Sequence, residues 1–334
     1  MNAADLLAQF RTLGGVADNV IVRQGAHGLG LFAIDPRRPV RVLTPAQLLI
    51  SPQSLCLDSA GQVKVKPDSG LSAEVVSFHE GYQRCFGWGA GGWEHIRQYH
   101  QQLRSLPDLV KNFLLILGCA DDLNGKPTLA DGFKAHCGSR QISVEASSKL
   151  MPVLELINHA SDGSPYVMDQ GVSLSGTFQD EVFARYRRHM DAFHFFFNYH
   201  FASPCRSTLS CDVTIGLPRV GTLRISRLDG LAEVKNGVRV PKLVASQGEI
   251  HLSYLELVNL DEPALPRRVL LDLMASQGMP ANSAHQLFDG LLAHNRQVLN
   301  DFVKACDGSE GEIVRSLQAI ATQQLLSLTQ TVAA

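Results

Sequence analysis

The sequence predicts an α+β protein, with β-rich segments interrupted by a helical insertion and followed by a helical C-terminal domain. Three observations carry this expectation. Short alternating or apolar runs broken by Gly and Pro recur from Val20 through Lys66. Helical periodicity runs through Trp93–Leu103 and Leu106–Cys119. It returns over Leu265–Met274, Ser283–Val303 and Glu310–Leu328. The expected divisions are residues 1–85, a helical insertion at 86–150, a second β-rich part at 151–225, and a hairpin linker with the helical domain at 226–334.

Taken in order, Leu6, Leu7, Phe10 and Leu13 mark a short amphipathic helix that Gly14-Gly15 ends. Val20-Ile21-Val22 reads as a strand followed by a glycine turn, and Val63-Lys64-Val65-Lys66 as an alternating strand. Pro107 suits the start of the second insertion helix. Met151–Ile157 is an apolar segment with the look of a buried strand. Two short strands are expected in 167–186, the second ending in Val182-Phe183-Ala184-Arg185-Tyr186. Phe193, Phe196 and Phe197 read as core aromatics. Residues 211–254 are β-like, with Asn236-Gly237 a hairpin signal.

Composition narrows the function. The chain has 334 residues, 45% hydrophobic and 19% charged, so a packed core is expected and general disorder is not. With 30 basic and 32 acidic residues, nucleic acid is not an expected partner. Seven cysteines are scattered with no C-x-x-C pair, which argues against a zinc ribbon or a disulfide framework and for a reducing cytoplasm. No signal peptide is evident. Apolar runs such as Phe113–Gly118 are too short to cross a membrane. His194 and His200, six apart beside Cys205 and Cys211, lack metal-site spacing, so no metal is expected.

Gly28-Leu29-Gly30-Leu31-Phe32-Ala33 formally matches a dinucleotide fingerprint, which requires a helix next. Asp35-Pro36-Arg37-Arg38-Pro39 forbids one. Taken alone, the motif is a glycine-rich turn.

Further segments follow in order: Ser139-Arg140, then Leu156-Ile157-Asn158-His159-Ala160, then Glu181-Val182-Phe183-Ala184-Arg185-Tyr186, then Tyr199-His200-Phe201. Together with the glycine motif, this set resembles the SET-domain protein methyltransferases, in the branch typified by the Rubisco large-subunit methyltransferase. The resemblance covers nearly the whole chain. It implies a SET β-fold split by the insertion, with S-adenosylmethionine as cofactor and a protein or peptide as substrate. Lysine is the acceptor it favours, and histidine is the other acceptor known in the branch.

By resemblance, Leu29, Gly30 and Leu31 line the methionine end of the cofactor and Arg140 lies near its carboxylate. Asn158 contacts the amino-acid portion, and His159 holds the adenine through its main chain. Tyr186 is the catalytic tyrosine, Tyr199 the second tyrosine, and Phe201 a wall of the substrate channel. Three positions depart from the family pattern: Arg187 and His200 stand where glycines are usual, and Gln179-Asp180-Glu181 replaces Gly-Glu-Glu. These departures keep open a second reading, a catalytically weak or inactive SET-like module that binds a protein partner.

Overall fold

The computed structural model describes residues 1–119, 123–145, 147–186, 190–218, 221–227, 233–235 and 238–330. The chain divides into two compact units, Met1–Gln101 with Lys126–Arg187, and Gln102–Gly125 with Arg188–Ala334.

The first unit begins with α1 (Ala3–Thr12), capped by a reciprocal Asn2–Asp5 box and burying Leu6, Leu7 and Phe10. Strands β1 (Val16–Asp18), β2 (Val20–Gly25), β3 (Gly28–Ala33), β4 (Val40–Pro45), β5 (Leu55–Leu57) and β6 (Val63–Val65) follow. Helices α2 (Ala73–Cys85) and α3 (Gly92–Arg104) come next, and α4 (Asp108–Ile116) belongs to the second unit. The first unit resumes with α5 (Leu129–Gly138), β7 (Gln141–Val144), β8 (Ser147–Leu150), β9 (Asn158–Ser164), β10 (Gly171–Gly176) and β11 (Phe183–Ala184). Its pairings are local hairpins β2–β3, β5–β6 and β7–β8, an antiparallel sheet β1-β4-β10, and the parallel pair β9–β11. Phe10, Val42, Phe78, Tyr82, Ile157 and Leu174 are among the residues of its core.

The second unit carries α6 (Ala192–Tyr199), β12 (Ser207–Leu209), β13 (Val213–Leu217), β14 (Gly221–Ile225), β15 (Glu233–Lys235) and β16 (Val238–Val240). It continues with β17 (Leu243–Ser246), β18 (Glu249–Leu252), β19 (Glu256–Asn259), α7 (Leu265–Ala275), α8 (Ala281–Cys306) and α9 (Glu312–Gln330). A four-stranded sheet has the order β13-β14-β18-β17. Phe193 packs edge-on against Phe302 of α8. Asp191 and Arg227 form a fully buried ion pair in this unit. Asp191 also accepts from the backbone of His194 and Leu209 and from the Gln324 amide.

The architecture is α+β, with mixed parallel and antiparallel pairing. Several local expectations need correction. The turn of the first hairpin falls at Ala26-His27, and the glycine motif is itself strand β3. Met151–Ile157 is not a strand. Pro152 and a left-handed Val153 (φ +72°) turn the chain into a 3-10 turn at Leu154–Leu156. Strand β9 starts where that segment ends, at Asn158, although its sequence is polar. None of its residues is fully buried, so polar side chains fit there, and Gly163 lets β11 come close: a Cβ on it would meet the Ala184 backbone at 2.6 Å. Strand β19 lies between the β-like stretch 211–254 and the first expected C-terminal helix, and it pairs with β12. Phe197 is only partly buried, and Phe195 takes the core position instead. Asn236-Gly237, between the paired strands β15 and β16, and Arg187 lie outside the described residues.

Candidate active site

In the first unit, β3 is fixed on both edges. It pairs with β2 in register Gly30↔Arg23. On its other edge Ala33 N–H donates to Asp180 at 2.8 Å, and Val182 N–H donates to Leu31 at 2.8 Å. Phe32 and Glu181 face each other in that antiparallel bridge. Strand β11 pairs in parallel with β9, setting Phe183 opposite Asn158. Backbone pairing alone therefore brings Gly30, Glu181 and Asn158 together.

The side chains complete the cluster. Asn158 Nδ2 donates to Glu181 Oε1 at 2.7 Å and to the Leu29 carbonyl at 3.5 Å. A Cβ on Gly30 would stand 2.8 Å from Glu181 Oε1 and 2.9 Å from Asn158 Nδ2. The glycine thus has a cause that spacing alone does not reveal: its missing side chain leaves the room that the Asn158–Glu181 pair occupies. Chain direction after β3 also agrees with the failure of the dinucleotide reading, since β3 runs into a turn and then β4 rather than a helix.

His159, the next residue on β9, meets Tyr186. The rings lie 5.1 Å apart, and Tyr186 N–H donates to His159 Nδ1 at 3.2 Å. Burial pulls the His159 pKa below its usual value, helped by the nearby Arg185 charge and against a hydrogen bond with the Ala184 backbone. The neutral ring this favours leaves Nδ1 able to accept. The Tyr186 hydroxyl donates to the Ile157 carbonyl at 2.8 Å. That carbonyl follows the strained Val153 turn, so the turn sets where the hydroxyl is held. Ile157 and Glu181 lie inside the motif segments, yet neither is given a role by the sequence; the fold supplies it, by setting the Ile157 carbonyl against the Tyr186 hydroxyl and the Glu181 carboxylate against the Asn158 amide.

Arg140 belongs to the same unit. Its guanidinium donates to Ser139 Oγ at 2.9 Å and to the His136 carbonyl at 3.4 Å. It also acts on a buried carboxyl that the sequence did not flag. Both Glu155 oxygens are buried and unbonded, and burial pushes this carboxyl up to about 7, against the opposing pull of Arg140. The buried Tyr82 hydroxyl lies close to it, outside good hydrogen-bond geometry.

Tyr199 and Phe201 belong to the second unit. Tyr199 ends α6, and His200 caps the helix at φ +66°, ψ +21°. The histidine at the position where glycine is usual therefore holds the left-handed conformation that glycine adopts most easily. Phe195 lies 4.6 Å from Tyr199 and 5.2 Å from Phe201 by ring centroids, and Phe201 is 41% exposed. Asp180, a second departure, is paired with Arg23 at the exposed side of the first-unit hairpin.

No family model matches the sequence, and no curated protein matches it. Among solved structures, a Rubisco LSMT bound to AdoMet is 16% identical, with 98% of this chain and 90% of that chain covered and a TM-score of 0.42. A Rubisco LSMT bound to sinefungin and monomethyllysine has the same identity, coverages and TM-score. The SET domain of LSMT bound to lysine and AdoHcy is 16% identical over 98% of this chain and 89% of that chain, with a TM-score of 0.39. No described helix is long and apolar enough to cross a membrane.

Proposed function

We propose that this protein transfers a methyl group from S-adenosylmethionine to a protein side chain, with lysine as acceptor. The observation that supports it most is the convergence on one side of the first unit. There Gly30 stands beside an oriented Asn158 amide, and Tyr186 stands on His159 with its hydroxyl anchored. The solved structures named above bind AdoMet, AdoHcy, lysine or methyllysine, in keeping with this reading.

The donor set fits the cofactor. It offers an amide oxygen for the α-ammonium group, the backbone of β3 at Leu29–Leu31, and the main chain at His159 for adenine. Arg140 is assigned to the carboxylate. When bound, the cofactor supplies a methyl group on a sulfonium, open to in-line attack.

The protein's part is positioning and electrostatics. The Tyr186 hydroxyl is anchored on the Ile157 carbonyl, and it is the group assigned to orient the acceptor amine. A buried neutral amine is also favoured where charge is poorly solvated. Tyr199 and Phe201 carry aromatic faces of the kind that suit an alkylammonium. The compartment assigned is the cytoplasm, from the unpaired cysteines. The test is a tritiated-methyl assay with host lysate, in which a labelled protein band supports the reading. Cofactor binding without any labelled band favours the inactive, partner-binding module instead.

A further inference from the structure

An amide side chain can present either end to its surroundings, and only its neighbours decide which. A carboxylate accepts and cannot donate, so the group 2.7 Å from Glu181 Oε1 must be the Asn158 NH2. The Leu29 carbonyl, another acceptor, faces the same nitrogen. Asn158 Oδ1 is thereby turned away from both. Glu181 is itself held by the flanking backbone bonds at Asp180 and Val182, and its carboxylate lies over the hairpin between Gly25 and Gly30. A Cβ at Gly25 would be 3.5 Å from Glu181 Oε2.

We propose that Glu181 is a positioning residue for the cofactor's α-ammonium group: it locks the Asn158 amide with its oxygen outward, so that this oxygen accepts from the cation. The inference rests on the proposed function, through the role given to Asn158. In Glu181→Ala only the long contact with the Leu29 carbonyl is left to orient the amide, whose nitrogen end repels an ammonium.

The test is titration calorimetry with two ligands, S-adenosylhomocysteine and 5′-methylthioadenosine, which lacks the amino-acid portion. Glu181→Ala is expected to weaken S-adenosylhomocysteine about tenfold, the value of one good hydrogen bond to a charge. Methylthioadenosine affinity should stay within about twofold, since it makes no call on Asn158. Glu181→Gln, whose carbonyl can still accept from Asn158, should recover part of the loss and guards against a misfolded alanine variant. In an Asn158→Ala background, adding Glu181→Ala should change S-adenosylhomocysteine affinity by less than about twofold. Unchanged binding in Glu181→Ala, equal losses for both ligands, or additive losses in the double variant would each overturn the inference. A wild-type protein that binds neither ligand overturns the proposed function itself, a result distinct from these.

Discussion

The Tyr186 hydroxyl is tied to the backbone carbonyl of Ile157 at 2.8 Å, and Tyr186 N–H to the ring of His159. One residue therefore joins the 3-10 turn, strand β9 and the end of the β11 segment. A hydroxyl held this way can act on reacting atoms without contributing to the hold on the cofactor.

Removing that hydroxyl in Tyr186→Phe should lower single-turnover methyl transfer by about 30- to 1000-fold, or roughly 2–4 kcal/mol of transition-state stabilisation. Cofactor affinity should be nearly unchanged, because the lost interaction belongs to the transition state. Stability should fall by about 1 kcal/mol from the lost hydrogen bond. Tyr199→Phe should be milder, since the ring remains. Full rate in Tyr186→Phe with loss in Tyr199→Phe would exchange the two roles.

Gly30→Ala tests the space around the glycine. The new Cβ would push on the ends of two flexible side chains rather than on backbone. The fold should therefore survive with little change in melting temperature. The Asn158–Glu181 pair should separate, and S-adenosylhomocysteine affinity should drop by about tenfold or more. Melting curves and calorimetry on the same sample check both halves.

Glu155 makes a stability prediction with a defined sign. Its native pKa of about 7 lies above the 4.5 expected when exposed. Between these values the native state holds a proton that the unfolded chain has released. Stability contributed by the neutral form is full below about pH 4.5 and is lost as pH rises toward 7. The loss is at most about 3–4 kcal/mol, from 1.36 kcal/mol for each pH unit. Glu155→Gln should flatten the urea midpoint between pH 5 and 8. A midpoint that still falls by the same amount would assign the effect to another group.

In the second unit, Asp191 is fully buried and pairs with Arg227 while accepting three further hydrogen bonds. Asp191→Ala leaves a buried guanidinium uncompensated and should destabilise by about 3–5 kcal/mol. A change below about 1 kcal/mol in chemical denaturation would show that water or a rearranged partner reaches Arg227.

The sequence made helices the most legible elements. Leu6, Leu7 and Phe10 repeat at helical spacing and end up on one buried face, and the last three helices fall close to their expected spans. Strands were less legible where burial did not set them. Strand β9 reads Asn-His-Ala-Ser-Asp-Gly-Ser, and what makes it extended is pairing with β11, a partner nineteen or more residues away. The Met151–Ile157 segment looked like a strand because an apolar run carries no record of Val153's left-handed turn. At the site, Asn158, His159 and Tyr186 stood out as motif residues, and the geometry places them in contact with their neighbours. Glu155 carries no sequence signal, and Glu181 is legible only as part of a motif, because the importance of each comes from which side chains the fold sets opposite it.

The central claim is that the cluster around Gly30 and Asn158 holds S-adenosylmethionine, and titration of that ligand into purified wild-type and Asn158→Ala proteins tests it most directly. Saturable binding to the wild type is expected, with a loss of about 1–3 kcal/mol in the variant, the cost of removing a half-buried hydrogen-bonding group. No heat and no thermal shift with the wild type, or equal affinity in the two proteins, would contradict it.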